Sequence, residues 1–201
     1  MLNITFKGGD VKAFEDGTSL IEMAKSISEG LARAALAATV DGEVCGLDFI
    51  PEKDCAVNFL TFDDEDGRRT YRHTASHVLA QAVKRLYPTA KLAIGPAIDD
   101  GFYYDFEFDT SVTNSELDAL EAEMKKIIKE NIPLVRAELP REEAIKLMEE
   151  KGEDYKVELI KDLPEDAVIS IYNQGDFTDL CAGPHLQSTG KLKAIKLQYT
   201  A

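Results

Sequence analysis

Apolar and polar residues alternate in short runs along the first part of the chain, and turn residues separate the runs. Loose alternation over residues 2–7 and 11–14, on either side of Gly8-Gly9-Asp10, predicts a β-hairpin. Ser19 is an N-cap signal for a helix with apolar residues at helical spacing, which we expect to end at Gly30. Further strands are predicted over residues 38–40, 44–47 and 56–62. This order of elements is typical of a small ubiquitin-like β-grasp domain.

The rest of the chain has a different pattern, in which longer helices alternate with strands. The charged, glycine-containing stretch 63–69 predicts a boundary between a domain of residues 1–62 and a domain of residues 63–201. An apolar stripe followed by Pro88 predicts a helix over residues 70–87. The other predicted elements are a hairpin of 92–98 with 102–108, a helix from the capping box Thr113–Glu116 to about Glu130, a strand 133–139, a helix 141–151 ended by Gly152, and strands 168–172, 176–180 and 194–199. Residues 155–160 fit a strand or a helix equally. We therefore expect an α+β protein whose second domain is mixed α/β, with helices packed against an antiparallel sheet.

Composition and charge argue against several classes of protein, among them strong binders of nucleic-acid phosphates, disulfide-stabilised secreted proteins and membrane-spanning proteins. The 201 residues are 44% hydrophobic, which is enough for one large or two small domains. The net charge is −14 and both predicted domains are acidic, so weak binding to a phosphate backbone is expected from these residues alone. Three widely spaced cysteines argue against a disulfide framework and favour a reducing, cytoplasmic location. The first residues do not have the pattern of a signal peptide, and no apolar run approaches the ~20 residues of a membrane span.

All three histidines fall within two short motifs. The first is His73-Thr-Ala-Ser-His77, where a spacing of four puts both imidazoles on one face of the predicted helix. We place this pair near the positive end of the helix dipole, which favours neutral imidazoles. The second is Asp179-Leu-Cys181-Ala-Gly-Pro-His185, which also holds one of the three cysteines. Scattered structural histidines would not sort in this way, so we expect the two motifs to meet in one site.

Three interpretations of such a site stay open on residue types alone. Two short pairs of nitrogen and sulfur ligands suit a tetrahedral zinc ion. Without a metal, one histidine takes a proton from water, a lysine or another polar group orients that water, and Asp179 aligns a histidine. In the third interpretation the motifs form a buried polar network that only stabilises the domain. The aromatic run 102–106 fits a pocket wall and a packed strand equally, which leaves the role of Tyr104 open.

In their order along the whole chain, these motifs resemble the N-terminal region of the threonyl-tRNA synthetases. Besides the two histidine motifs, the resemblance depends on Ile94-Gly-Pro-Ala-Ile98, Gly101-Phe-Tyr-Tyr104 and Tyr155-Lys-Val157. Residues 1–62 resemble the TGS domain of that family, and the residues from 63 onward resemble its editing domain. The chain departs from the family at Ala182, where arginine is frequent, so a charged contact to tRNA phosphate is not expected from this position.

The resemblance implies proofreading, in which an activated water hydrolyses serine wrongly esterified to tRNA(Thr). It implies that His73 and Lys156 position and activate the water. It assigns the shaping of the pocket and the holding of the ligand to His77, Asp179, Cys181 and His185. It further implies that Tyr104, together with Gly95 and Pro96, contacts the terminal adenosine or the seryl group.

The resemblance also implies cofactors and partners. No cofactor is expected here, although related alanyl editing domains hold zinc on a set similar to His73, His77, Cys181 and His185. ATP and zinc would bind the aminoacylation core, which follows this region in the family and through which we expect the full-length enzyme to form a homodimer. We therefore expect a fragment with deacylase but no ligase activity, whose partner is the acceptor end of tRNA(Thr) carrying serine. The alternatives are a zinc-dependent aminoacyl-ester hydrolase of the alanyl editing type and a non-catalytic tRNA-binding or regulatory module.

Overall fold

The computed structural model describes residues 1–200, which divide into two compact units. The first unit contains residues 1–72 and 183–187, and the second contains residues 73–182 and those from 188 onward. None of the helices within residues 1–200 combines the length and the apolar character needed to cross a membrane.

A mixed five-stranded sheet forms the framework of the first unit, as described within residues 1–200. Its elements in chain order are β1 (Leu2–Phe6), β2 (Val11–Phe14), α1 (Leu20–Ile27), α2 (Glu29–Ala34), β3 (Ala37–Val40), β4 (Glu43–Cys45) and β5 (Cys55–Leu60). The strand order is β2-β1-β5-β3-β4, with β1 parallel to β5 and the other neighbours antiparallel. Helix α1 covers the sheet, and Leu20 and Met23 are buried with Ile4 and Val57 in the core. The predicted β-grasp fold is thereby confirmed.

The end of helix α1 differs from its prediction. The helix stops at Ile27, and Ser28 adopts an extended backbone conformation. The Ser28 hydroxyl accepts a hydrogen bond from the Leu31 N–H and so caps α2, in which Gly30 is an internal residue. The expectation that Gly30 ends α1 was wrong because a serine cap, and not a glycine in a left-handed conformation, separates the two helices.

Helix α3 (Glu65–Leu86) is longer than predicted and includes most of the stretch 63–69 that was expected to be a break. Glu65 and Asp66 lie in its first turn, where negative side chains favourably face the positive end of the helix dipole. Gly67 lies inside this helix and does not end it. A Cβ at this position would overlap the carbonyl oxygen of Thr61. A glycine is therefore needed here for close packing. The boundary between residues 62 and 63 stays a prediction.

An interrupted hairpin lies between helices α3 and α4 in the second unit. Its strands are β6 (Lys91–Leu92), β7 (Ala97–Ile98), β8 (Gly101–Phe102) and β9 (Phe106–Glu107), and they are followed by α4 (Leu117–Glu130). Strand β6 pairs with β9, and β7 pairs with β8, so the predicted hairpin forms as two short ladders. The capping box predicted at Thr113 and Glu116 is also present, ahead of a 3-10 turn that leads into α4.

A three-stranded antiparallel sheet with a helical hairpin against it completes the second unit, within the part of the chain that the structure describes. Its elements are β10 (Leu134–Leu139), α5 (Arg141–Glu150), α6 (Asp154–Asp162), β11 (Ile169–Gln174) and β12 (Phe177–Leu180). The ambiguous residues 155–160 are thus helical. Met148 and Ile160 of the helices pack with Ile169 and Ile171 of β11 in a buried core. The observed fold class agrees with the prediction.

The strand predicted over residues 194–199 is not formed. The Leu197 N–H donates to the Glu121 carboxylate, and the Lys196 ammonium forms an ion pair with the same group. The Thr200 N–H donates to the Asn114 side chain. The prediction was wrong because side chains near helix α4, and not a neighbouring strand, bind this segment.

Candidate active site

Helix α3 places the two histidines of the first motif one turn apart. Their ring centroids are 5.3 Å apart and the rings are nearly perpendicular, at 82°. His77 is buried, whereas His73 is half-buried. Within this pair, His73 is therefore the imidazole with better access for a bound molecule.

Strand β12 and the residue that follows it place Asp179 and Cys181 beside these histidines. Residues two apart on a strand point to the same face, so Phe177 and Asp179 lie on one side of β12, and Cys181 follows directly after the strand. The His77 Nε2 atom lies 3.7 Å from Asp179 Oδ2, and the Cys181 Sγ atom lies 3.4 Å from His73 Nε2. The structure thus brings the histidines of α3 together with Asp179 and Cys181.

Lys156 of α6 and Tyr104, which precedes β9, complete a buried polar network around Asp179. The Lys156 ammonium lies 2.9 Å from Asp179 Oδ1 and donates to the Tyr104 hydroxyl oxygen at 3.1 Å. The Tyr104 hydroxyl in turn donates to Asp179 Oδ2 at 2.6 Å. Asp179 is 1% exposed and Lys156 is 3% exposed. Since a charge is buried at low cost only when it is paired, this geometry fixes all three groups relative to one another.

Burial and the paired charges set the protonation states in this network. Burial raises the pKa of Asp179, but Lys156, His77 and the hydrogen bonds from Tyr104 and Lys156 outweigh it, so its pKa is lower than usual. Burial and the neighbouring Asp179 raise the pKa of Tyr104 well above its ordinary value. At neutral pH the network therefore contains a carboxylate and a protonated phenol.

Burial also lowers the pKa of His77 to about 3, although the neighbouring Asp179 acts in the opposite direction. His77 is therefore neutral at pH 7. The reason expected from the sequence was different, because we placed the histidines at the positive end of a helix dipole. Helix α3 begins at Glu65, about two turns before His73, and the dipole effect is confined to the first turn.

Tyr104 belongs to the buried polar network around Asp179. Its hydroxyl is bonded to Asp179 and Lys156, and its ring stacks on Phe106 with centroids 4.7 Å apart. The residue is buried. This environment indicates that Tyr104 holds Asp179 and Lys156 in place. Whether Tyr104 also contacts the terminal adenosine or the seryl group stays a prediction.

Gly95 and Pro96 lie in the segment that interrupts the hairpin, and both are half-buried. Gly95 packs so closely on Tyr104 that a Cβ atom would overlap the ring. The hydroxyl of Ser76, on α3, donates to the Gly95 carbonyl at 2.7 Å, and the Pro96 carbonyl accepts from the Tyr103 N–H at 3.4 Å. Gly95 therefore helps to seat Tyr104. Whether Gly95 and Pro96 bind substrate stays a prediction.

We expect Gly95→Ala to lower the free energy of unfolding by about 2 kcal/mol, because its methyl group displaces the Tyr104 ring. Urea unfolding at pH 7 measures this change. Gly101→Ala is the matched control in the same hairpin, since nothing lies within 4 Å of a Cβ there. Equal stabilities of the two variants would contradict the close packing described for Gly95.

His185 is buried and follows the cis peptide bond between Gly183 and Pro184. It lies in the segment 183–187 that groups with the first unit, and it is described with that unit. Its role beside the other site residues stays a prediction. Ala182 is exposed.

Three of the predicted zinc ligands lie together in the second unit. The ligand atoms of His73, His77 and Cys181 are all within 4.8 Å of one another. Two imidazole nitrogens and one thiolate sulfur are a donor set that suits zinc. The geometry of the second unit is therefore compatible with the metal interpretation.

A cavity of about 330 Å³ opens further along α3 and contains none of the predicted site residues. Gln81, Lys84 and Glu153 are among the side chains that line it. Neither Glu153 nor Ser76 was predicted as a site residue, although both are buried and bond to elements that carry the site. For Ser76 a signal was present, since it lies inside the motif His73–His77. For Glu153 there was none, because it is one of many acidic residues in the chain.

Comparison with known proteins gives two domain matches. Residues 2–61 match the TGS domain. Residues 169–200 match the domain described as "Threonyl and Alanyl tRNA synthetase second additional domain", and this segment includes Asp179, Cys181 and His185. The remaining candidate residues lie outside the matched segments.

Whole-chain comparison finds threonine–tRNA ligases. The chain is 58% identical to that of Clostridioides difficile and 62% identical to that of Acetivibrio thermocellus, over 201 residues in each case. It is 63% identical to that of a Clostridium botulinum strain over 197 residues, or 98% of the chain. The chain spans about a third of the length of these relatives, 32%, 32% and 31% respectively.

Proposed function

Because this chain corresponds to the N-terminal region of the threonine–tRNA ligases, we propose that it hydrolyses serine from mischarged tRNA(Thr). The chemical need follows from the size of the two amino acids. Serine lacks one methyl group of threonine, and a methyl contact is worth only about 1–3 kcal/mol of discrimination in a pocket. A second, hydrolytic site that admits the smaller side chain corrects the errors that such a pocket allows.

The observation that carries the proposal is the contrast between buried and accessible groups in the candidate site. Asp179, Lys156 and His77 are buried, and the first two are paired, so they form a rigid wall. His73 and Cys181 are only half-buried beside this wall. Fixed polar groups can hold a water molecule in one orientation, and an accessible imidazole beside them can take its proton.

In the proposed reaction, His73 accepts a proton from water as the water oxygen attacks the ester carbonyl carbon. The ester C–O bond then breaks, and the ribose oxygen of tRNA leaves with a proton returned by His73, which yields serine and free tRNA(Thr). His77 is a poorer base for this step, because a group with a pKa of about 3 holds a proton weakly at pH 7. Lys156, held by Asp179 and Tyr104, helps His73 to position the attacking water in this proposal.

Deacylation of purified seryl-tRNA(Thr) and threonyl-tRNA(Thr) by this chain tests the proposal. We expect the seryl ester to be cleaved about 10–200-fold faster than the threonyl ester, because a single methyl group decides access. The assay is run with and without a chelator. Equal cleavage of both esters, or no cleavage of either above the buffer rate, would overturn the proposal.

The second candidate function is a zinc-dependent ester hydrolysis at the same site. The proximity of His73, His77 and Cys181 favours it, with His185 as the fourth ligand expected from the sequence. A bound zinc ion would lower the pKa of a coordinated water. One zinc ion per chain after purification, together with loss of deacylation on chelation, would support this candidate against the metal-free one.

The proposal also includes the partner and the assembly. The partner is the acceptor end of tRNA(Thr) carrying serine. The ATP-binding core and the homodimer expected of the family belong to the remainder of the full-length ligases, of which this chain spans about a third, 32%.

A further inference from the structure

We propose that Glu153 is a positioning residue for Lys156 and so for the chemistry of the site. The inference rests on the proposed function only for its kinetic effect. Glu153 immediately precedes α6, and it is 2% exposed. A buried carboxylate needs paired charge and hydrogen bonds. The residues that pair with the Glu153 carboxylate therefore identify the elements that it connects.

The side chain of Glu153 connects α6 to two other elements of the second unit. Its Oε2 atom accepts a hydrogen bond from the Leu92 N–H of β6 at 2.8 Å. Its Oε1 atom lies 2.8 Å from the ammonium of Lys84, on α3. Lys84 also donates to the carbonyl of Ala90, just before β6, at 2.9 Å. One carboxylate thus ties α6 both to the hairpin and to helix α3.

The main chain of Glu153 acts on Lys156 directly. The Glu153 carbonyl accepts hydrogen bonds from the N–H groups of Lys156 at 3.0 Å and Val157 at 3.2 Å, which form the first turn of α6. The position of Glu153 therefore fixes where α6 begins and how it is rotated. Since Lys156 is three residues further on, that rotation aims its side chain at Asp179 and Tyr104.

The elements that Glu153 joins are those that carry most of the candidate site. Helix α3 carries His73 and His77, the hairpin carries Tyr104, and α6 carries Lys156. Asp179 on β12 is the common partner of Lys156, Tyr104 and His77. We infer that the ion pair of Glu153 with Lys84 sets the distance between Lys156 and the histidines of α3.

Glu153→Gln tests this inference, because glutamine keeps the size of the side chain and removes the charge that pairs with Lys84. We expect kcat for seryl-tRNA(Thr) to fall about tenfold with little change in KM, since small displacements of a catalytic group reduce the rate far more than they reduce binding. The matched control is Glu158→Gln, an exposed charge on the same helix, which should keep wild-type kinetics.

A second measurement does not depend on activity. In the wild type, Lys156 should resist acetylation by an N-hydroxysuccinimide ester, read by mass spectrometry, while the exposed Lys161 on the same helix reacts freely. Glu153→Gln should raise the modification of Lys156 several-fold and leave Lys161 unchanged. If Glu153→Gln does not fold, Lys84→Met removes the same ion pair and is measured instead.

The outcomes separate the inference from the proposed function. Unchanged protection of Lys156 in a folded variant would overturn the positioning role, whatever the kinetics show. Increased modification of Lys156 with a wild type that cleaves no ester would support the positioning role and reject the proposed reaction. A fall in kcat that merely matches a loss of folded protein, with Lys156 still protected, would indicate a structural role only and overturn the inference.

Discussion

Replacing His73 by alanine is expected to slow hydrolysis of seryl-tRNA(Thr) at least about a hundredfold, because a positioned general base contributes roughly 10²–10⁴ to a rate. His73 is the half-buried imidazole of the pair on α3, and its Nε2 atom lies 3.4 Å from Cys181 Sγ at the accessible side of the site. Pre-steady-state deacylation with excess enzyme measures the chemical step. Thermal unfolding checks that the variant remains folded.

His73→Gln separates proton transfer from packing. Glutamine can keep a hydrogen bond at this position but cannot accept a proton near neutral pH. His73→Ala and His73→Gln should therefore lose deacylation activity to a similar extent. Recovery of most of the activity in His73→Gln would show that His73 only fills space or orients a neighbour, and the base would have to be sought elsewhere.

Asp179→Asn is expected to lower the free energy of unfolding by about 3 kcal/mol, because breaking a buried ion pair leaves an uncompensated charge. The substitution leaves the Lys156 ammonium buried without its carboxylate partner at 2.9 Å, and Tyr104 loses the strong acceptor of its hydroxyl. Urea unfolding at pH 7 measures the change. Deacylation should fall in parallel, since Lys156 is no longer held.

Asp176→Asn is the matched control, because Asp176 lies in the turn just before the same strand but is exposed. Its nearest charge is Arg85 at 3.9 Å, and such exposed pairs contribute at most about 1 kcal/mol. Similar decreases in the free energy of unfolding for Asp179→Asn and Asp176→Asn would contradict a larger contribution from the buried ion pair.

The effect of Asp179→Asn should also depend on pH. The folded protein lowers the pKa of Asp179 below the usual 3.8, so the unfolded chain takes up a proton first as the pH falls. The stabilisation by this carboxylate is complete above about pH 4 and is lost as the pH drops through the lower folded-state pKa. The difference between wild type and variant should therefore narrow in acid, and a difference that grows in acid would contradict the pairing.

Features that depend on near neighbours in the chain could be predicted from sequence. The capping box of Thr113 and Glu116, the cap at Ser19 and the hairpin of β1 with β2 are set by residues a few positions apart, and all are present. Predictions from sequence patterns were wrong where a contact with a residue distant along the chain, or from another element, determined the local structure. Gly67 looked like a break but packs on Thr61, and residues 194–199 looked like a strand but bind Glu121.

In the candidate site, too, some features follow from near neighbours in the chain and others depend on tertiary contacts. Helical spacing accounts for His73 beside His77, and the short distance along the chain accounts for Cys181 near Asp179. Lys156 was found only through a resemblance, and the aromatic run 102–106 left the role of Tyr104 open. No local pattern connects either residue to Asp179, which is 75 residues from Tyr104. Glu153 was not found at all, since its sequence neighbours do not reveal that it is buried.

The sequence by itself determined the β-grasp fold, the main helices and strands, and the sorting of the histidines into two motifs, because periodicity and capping act within one element. Only the tertiary structure decided that Tyr104 holds Asp179 and Lys156, that burial keeps His77 neutral, and that Glu153 ties three elements together. The physical reason is that the free energy of a buried charge depends on the groups surrounding it in space. In this chain those groups come from helices and strands far apart in sequence.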